Sequence, residues 1–197
     1  AYVISRSGSD WEEIYVKDCQ TGRDIDDHIV WAKFTSATWL GDGFYYSAYD
    51  APEKGRETSA KNSVQKIYYH KIGTPQSEDQ LFFMNPTQPL RFYNVDIDHD
   101  EKVMTLNEGG MDNGNNLYVR DLTKPNSQFI QMCSDTRFRY STVETVGKKM
   151  YILTNAGAPK YRLMVADVDR PGYNDWKEVV PEGESVLTDV TFAADRM

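Results

Sequence analysis

The 197-residue chain is poor in the residues that most often carry recognisable chemistry: it has two cysteines and three histidines, and no apolar run approaches a membrane helix. A helix that spans a bilayer needs roughly 20 apolar residues, and no segment supplies them; nothing resembles a signal peptide either. Cys19 and Cys133 lie far apart and outside any C-x-x-C pattern, so they indicate neither zinc nor a redox pair and read as two unpaired thiols on or near strands. His28, His70 and His99 show no metal-ligand spacing: His70 reads as an ordinary strand residue, the other two as members of polar turns. Positive charge is also short, with 22 Lys and Arg against 30 Asp and Glu and a formal net charge of −8. Its cations are scattered beside acids, as in Lys17-Asp18 and Arg120-Asp121, which argues against a phosphate-binding face. The G-x-S-x-G pentapeptide and the parallel βαβ pattern of a serine hydrolase are missing, so these residues alone offer no acyl-transfer nucleophile.

What remains is ordinary globular composition, 40% hydrophobic and 26% charged, laid out in short alternating segments with hardly a helix signal. Ile14-Tyr15-Val16-Lys17-Asp18, Leu117-Tyr118-Val119-Arg120-Asp121 and Met164-Val165-Ala166-Asp167 are variants of one element, and Ile67-Tyr68-Tyr69-His70-Lys71 stands between the first two. Val16, Tyr69, Val119 and Val165 recur at intervals of 53, 50 and 46 residues. Short strands repeated at such a period predict the blades of a β-propeller.

The turns repeat as well. Asp42, Asp100, Gly147 and Asp195 lie 58, 47 and 48 residues apart, and a polar insertion from Asp50 to Asn62 accounts for the longest interval. One unit opens at Val30-Trp31-Ala32-Lys33-Phe34, continues through Thr38-Trp39-Leu40, turns at Gly41-Asp42-Gly43 and returns along Phe44-Tyr45-Tyr46-Ser47. Ile67–His70 and Gln80–Phe83 complete it. The next contains Phe92–Ile97, Lys102–Leu106, a Gly/Asn-rich loop from Glu108 to Asn116, Leu117–Asp121 and Gln128–Met132. A third contains Tyr140–Val146, Lys149–Thr154, Tyr161–Asp167 and Trp176–Val180. The expected organisation is all-β: a partial propeller of about four blades of four-stranded antiparallel sheets, with residues 1–28 ending one blade, 29–84, 88–132 and 134–181 forming blades, and 185–197 starting the next. The partial units at both ends read as a piece cut from a longer chain.

Asp96-Ile97-Asp98-His99-Asp100 has a superficial likeness to a calcium loop, but Glu101 and Asn107 stand where an EF-hand requires glycine and glutamate. It reads as a solvated hairpin turn. A pair of catalytic carboxylates is conceivable among so many acids, yet nothing singles one out. The four tryptophans, 13 tyrosines and 8 phenylalanines are expected to fill space between sheets, except where a first strand begins. Phe34 and Phe92 occupy such places and can face a tunnel or a partner.

Several segments have wording beyond the generic blade pattern. Ser5-Arg6-Ser7-Gly8-Ser9-Asp10-Trp11, Gly41 to Tyr46, the run from Tyr69 through His70, Gly73 and Ser77-Glu78-Asp79, Asn116 to Leu122, and Thr154 to Arg162 resemble the prolyl oligopeptidase (prolyl endopeptidase) family over essentially the whole chain. The resemblance implies a seven-bladed propeller, of which this chain would form an open arc. The propeller caps an α/β-hydrolase domain of the same parent chain, which carries a Ser-Asp-His triad, cuts short peptides after proline and is gated by its cap. It implies substrate-binding roles for Phe34, in Lys33-Phe34-Thr35-Ser36, and for Phe92, after Pro89-Leu90-Arg91, with no catalytic residue, metal or cofactor in this segment. At Asn107-Glu108-Gly109-Gly110-Met111, Asn107 replaces a family arginine and Gly110 or Met111 a cysteine. The parent is expected in the cytoplasm or periplasm. The alternative from a different class is a self-standing propeller-type module that binds a protein or peptide.

Overall fold

The computed structural model describes residues 1–6, 8–56 and 63–193. Ser7, the end of the Asp50–Asn62 insertion and the turn expected at Asp195 lie outside them. The described residues form antiparallel β-sheets with no α-helix, only single 3-10 turns at Gln76–Glu78 and Tyr173–Asp175. The chain divides into two compact units, Ala1–Val95 and Asp96–Met197.

The first unit is built on one seven-stranded sheet. Its strands are β1 (Tyr2–Ser5), β2 (Glu12–Lys17), β3 (Asp24–Ala32), β4 (Thr38–Leu40), β5 (Gly43–Ala48), β6 (Lys66–Lys71) and β7 (Gln80–Met84). They lie in the order β1-β2-β3-β5-β6-β7, with β4 paired to β5. In β2 the period of two is clean: Ile14 and Val16 are buried while Tyr15 and Lys17 are not. All six residues of β5 are buried, as befits a strand paired on both edges and covered on both faces. Ile14, Ile29, Ala32, Phe44, Tyr46 and Ala48 form the core, and each large apolar side chain buried there contributes about 1.5–3 kcal/mol.

Two glycines at the β4–β5 hairpin are there for different reasons. Gly41 takes φ +61° as the first central residue of a two-residue loop, the place where a II′ turn needs glycine. Gly43 takes an ordinary φ, but a Cβ there would fall 2.1 Å from the His70 carbonyl oxygen, so β5 and β6 approach too closely for a side chain.

The strand β3 differs from the sequence reading. Residues 24–29 form a continuous strand with Val30-Trp31-Ala32, and the strand stops before Phe34. Alternation fails there because the β2–β3 register shifts twice, and because Asp27 is among the buried residues. At the outer edge of β3 the Gln76 side chain acts as a one-residue strand: its amide accepts from the Val30 N–H (3.0 Å) and donates to the Val30 carbonyl (2.9 Å).

In the second unit, β9 (Val103–Gly109), β10 (Asn115–Asp121) and β11 (Ile130–Cys133) join β8 (Phe92–Ile97), which runs across the division, in the order β11-β10-β9-β8. The strands β12 (Tyr140–Val146), β13 (Lys149–Thr154), β14 (Arg162–Asp167) and β15 (Lys177–Val180) form a second four-stranded sheet in sequence order. Leu117, Val119 and Met132 pack with Met150, Ile152, Met164 and Trp176 in one core. At the β8–β9 turn the Asp98 carboxylate accepts the N–H groups of Lys102 and Val103, both at 2.7 Å, which is what the acidic run does locally.

Candidate functional site

The two sequence-predicted site residues come together in the first unit. The Phe34 and Phe92 rings meet edge to face with centroids 5.2 Å apart and planes at 68°. Phe92 is half-buried at the start of β8, whereas Phe34 lies between β3 and β4 with 48% of its surface exposed. Phe34 also takes φ +54°, and Trp31, three residues earlier, φ +60°. Left-handed backbone at bulky residues costs about 1–3 kcal/mol each and persists only where neighbours over-determine it.

Those neighbours are visible. The Thr35 N–H donates to Glu12 Oε2 (3.3 Å), the Thr35 hydroxyl oxygen accepts the Ser47 N–H (2.7 Å), and the Tyr49 N–H donates to the Trp31 carbonyl (3.2 Å). The buried Gln65 side chain donates to the Lys33 carbonyl at 2.9 Å. Ser47 reaches the other half of the pair, its hydroxyl donating to the Tyr93 carbonyl at 2.6 Å.

Lys33 gives the patch its charge. Its amine lies 5.2 Å from the Phe34 ring centroid, 5.3 Å from that of Trp11 and 3.2 Å from Asp10 Oδ2, with a side chain only 12% exposed. Trp11 in turn meets Trp31 (5.3 Å) and Tyr49 (6.3 Å) edge-on. The result is an apolar, aromatic surface with one cation held against ring faces. Such a surface can hold an apolar side chain, and its described members include no nucleophile and base in contact.

A second cluster lies deeper in the same unit. His70, expected as an ordinary strand residue, is instead fully buried with both ring nitrogens against carboxylates: Nδ1 is 2.7 Å from Asp79 Oδ1 and Nε2 is 2.9 Å from Asp27 Oδ1. The Tyr46 hydroxyl donates to Asp79 Oδ2 at 2.7 Å, and the Gly73 N–H donates to Asp27 Oδ1 at 2.6 Å. Burial pushes the Asp79 carboxyl above its ordinary value, opposed by the bonds from Tyr46 and His70. The trio holds the segment from Gly73 to Asp79 against β3 and β6. With side chains at most 5% exposed, it is shut off from any substrate. The wording that set apart the run from His70 to Asp79 thus encodes a structural clasp; its sequence signal, an aspartate nine residues after a strand histidine, has no generic spacing rule.

In the second unit, Asn107 pairs with Leu117 in the β9–β10 ladder and Met111 is 89% exposed. A cavity of about 300 Å³ is bounded by Cys133, Phe138, Tyr140 and Tyr173; burial pushes the Cys133 thiol up to about 12, which keeps it protonated and unreactive. Cys19 is exposed and unpaired. Among the described residues no cluster of His, Cys, Asp and Glu could hold a metal ion, and no helix is long and apolar enough to cross a membrane.

Repeated antiparallel sheets whose strands follow one another in sequence define part of a β-propeller. The chain belongs to the family described as the prolyl oligopeptidase N-terminal beta-propeller domain, which matches residues 1–197. It is 34% identical over 188 residues to the prolyl endopeptidase of Elizabethkingia meningoseptica, covering 95% of this chain and 26% of that protein. Among solved structures, one from a study of two prolyl endopeptidases and their inter-domain dynamics superimposes with a TM-score of 0.85 at 27% identity, over 98% of this chain and 27% of the other. Prolyl oligopeptidase B from Galerina marginata, bound to a 35mer hydrolysis and macrocyclization substrate, gives a TM-score of 0.79 at 25% identity, over 93% of this chain and 28% of the other. The chain therefore spans about a quarter of the length of these relatives.

Proposed function

We propose that this chain is a non-catalytic, substrate-gating propeller segment of a prolyl oligopeptidase-type serine peptidase that cleaves short peptides after proline. The α/β-hydrolase domain of the same parent polypeptide supplies the nucleophile, and this segment supplies apolar surface through Phe34 and Phe92. The repeats divide its blades at residues 1–28, 29–84, 88–132, 134–181 and 185–197, with β3 (Asp24–Ala32) running across the first of these limits. The observation that carries the reading is the half-exposed Phe34, held in a costly backbone conformation against Phe92. An aromatic kept in water at such a cost is better accounted for by a ligand than by packing. A relative whose structure is bound to a 35mer substrate, and another studied for inter-domain dynamics in catalysis, support a peptide partner and a gating role.

The test uses acetyl-Phe-Gly-Pro and acetyl-Gly-Gly-Pro p-nitroanilides. The isolated chain should release no p-nitroaniline; turnover above background refutes the non-catalytic assignment. In the full-length polypeptide that contains this chain, Phe34→Ala should lower kcat/KM for the Phe peptide about tenfold, the scale of one apolar side chain losing its pocket, and leave the Gly peptide nearly unchanged. Equal kinetics for both peptides before and after substitution would remove Phe34 from the binding surface.

A further inference from the structure

Phe34 and Phe92 are 58 residues apart in sequence, yet one side chain bonds the backbone beside both. Gln65 Nε2 donates to the carbonyl of Lys33, the residue before Phe34, at 2.9 Å. Gln65 Oε1 accepts from the N–H of Tyr93, the residue after Phe92, at 2.6 Å. The side chain belongs to a residue with no exposed surface, so neither bond is shared with bulk water. The adjacent residue adds a third anchor: the Val64 N–H donates to the Pro89 carbonyl at 2.8 Å, upstream of Phe92. Val64 itself takes φ +59°, a strained setting that turns the chain to aim these groups.

We infer that Gln65 is a positioning residue: it sets the spacing of the Phe34–Phe92 pair and through it the preference of the peptidase for an apolar residue near the scissile proline. This rests on the substrate-binding reading of the pair given above. An amide suits the task because it presents a donor and an acceptor on one planar group, so it can hold a carbonyl and an N–H of two separate segments at a fixed separation. A similar use of an amide occurs in the second unit, where Asn115 Nδ2 donates to the Tyr140 carbonyl (3.0 Å) and Oδ1 accepts the Tyr140 N–H (2.9 Å). Apart from its chain neighbour Asn116, Asn115 grips a single residue. Gln65 bridges two segments, and each carries one ring of the pair.

The experiment compares Gln65→Leu and Gln65→Glu in the full-length polypeptide, using the same two p-nitroanilides. Gln65→Leu keeps the volume and loses both bonds; KM for the Phe peptide should rise about tenfold with kcat within about twofold, and the Gly peptide should be unaffected. Gln65→Glu keeps an acceptor for Tyr93, but its carboxylate cannot donate to the Lys33 carbonyl until it is protonated. Its ratio of KM values for the two peptides should therefore approach that of the unsubstituted protein at acid pH and diverge as pH rises, whereas the unsubstituted ratio stays flat. Taking the ratio cancels effects common to both peptides. If Gln65→Leu does not fold, the pH profile of Gln65→Glu decides alone. Losses of equal size for both peptides, or a flat Gln65→Glu ratio, would overturn the assignment. If Phe34→Ala abolishes the preference while both Gln65 variants retain it, the positioning role fails and the aromatic surface stands. If Phe34→Ala retains the preference, both fail.

Discussion

Two regions of the first unit invert the usual partition of side chains, and they do so in opposite directions. Around Phe34 an aromatic ring is left in water; around His70 three ionisable groups are taken out of it. In the first, backbone hydrogen bonds hold the chain in place while the ring has an open side. In the second, side-chain polar atoms are matched to one another, with Tyr46 and the Gly73 N–H adding donors, and nothing is left to offer a ligand. Perturbed ionisable groups often mark active sites, but here the open aromatic patch is the better candidate for recognition. Burial decides between them.

The sharpest way to break the contrast is to remove the imidazole. His70→Ala leaves a void and strips both carboxyl groups of a hydrogen-bond partner, and urea unfolding should show a loss of about 2–5 kcal/mol, the scale of a core cavity together with unsatisfied buried polar groups. A loss below about 1 kcal/mol would mean that the trio is solvated after all.

A smaller effect separates the charge of the clasp from its shape. The carboxyl of Asp79 titrates above its ordinary 3.8 when folded, so its contribution to stability is complete below that value and declines as pH rises through the folded value. Asp79→Asn removes the titration and keeps the size. Relative to the unsubstituted chain, the variant should gain stability as pH rises above about 4. A difference in unfolding free energy that stays constant from pH 3 to pH 8 would contradict the raised value.

The smallest effect is expected on the exposed side. Phe34→Gly relieves the left-handed strain and enlarges the freedom of the unfolded chain, two terms of about 1 kcal/mol that oppose each other. Thermal unfolding should therefore stay within a few degrees of the unsubstituted protein. A large drop would make Phe34 a core residue and dissolve the comparison.

How far these regions could be read in advance differs for physical reasons. The strands β8, β12 and β13 have the limits that alternation and turn residues predict, because each starts and stops at a clear polarity change. The loop expected from Glu108 to Asn116 is shorter than its composition implies. Asn116 faces Glu108 within the β9–β10 ladder, and the Glu108 carboxylate accepts the Tyr118 hydroxyl at 2.8 Å, so polar residues there are satisfied as strand members. Gly114 looks like loop composition but marks a close approach, since a Cβ would fall 1.8 Å from the Phe138 carbonyl oxygen. Phe34 and Phe92 were singled out by resemblance to family positions, but the contact between their rings was not foreseen. Gln65 was not: a lone polar residue before a strand carries no pattern, and its importance arises from partners 32 and 28 residues away. His70 lies in β6, as a strand residue should, but its carboxylate partners were hidden for the same reason, being 43 and 9 residues off.

The amide of Gln76 on the rim of β3 has an effect beyond holding a turn. By occupying the N–H and carbonyl of Val30, it removes the rung on which a foreign extended peptide would dock. Such a peptide would have to expel a ready-made substitute before gaining its first bond there.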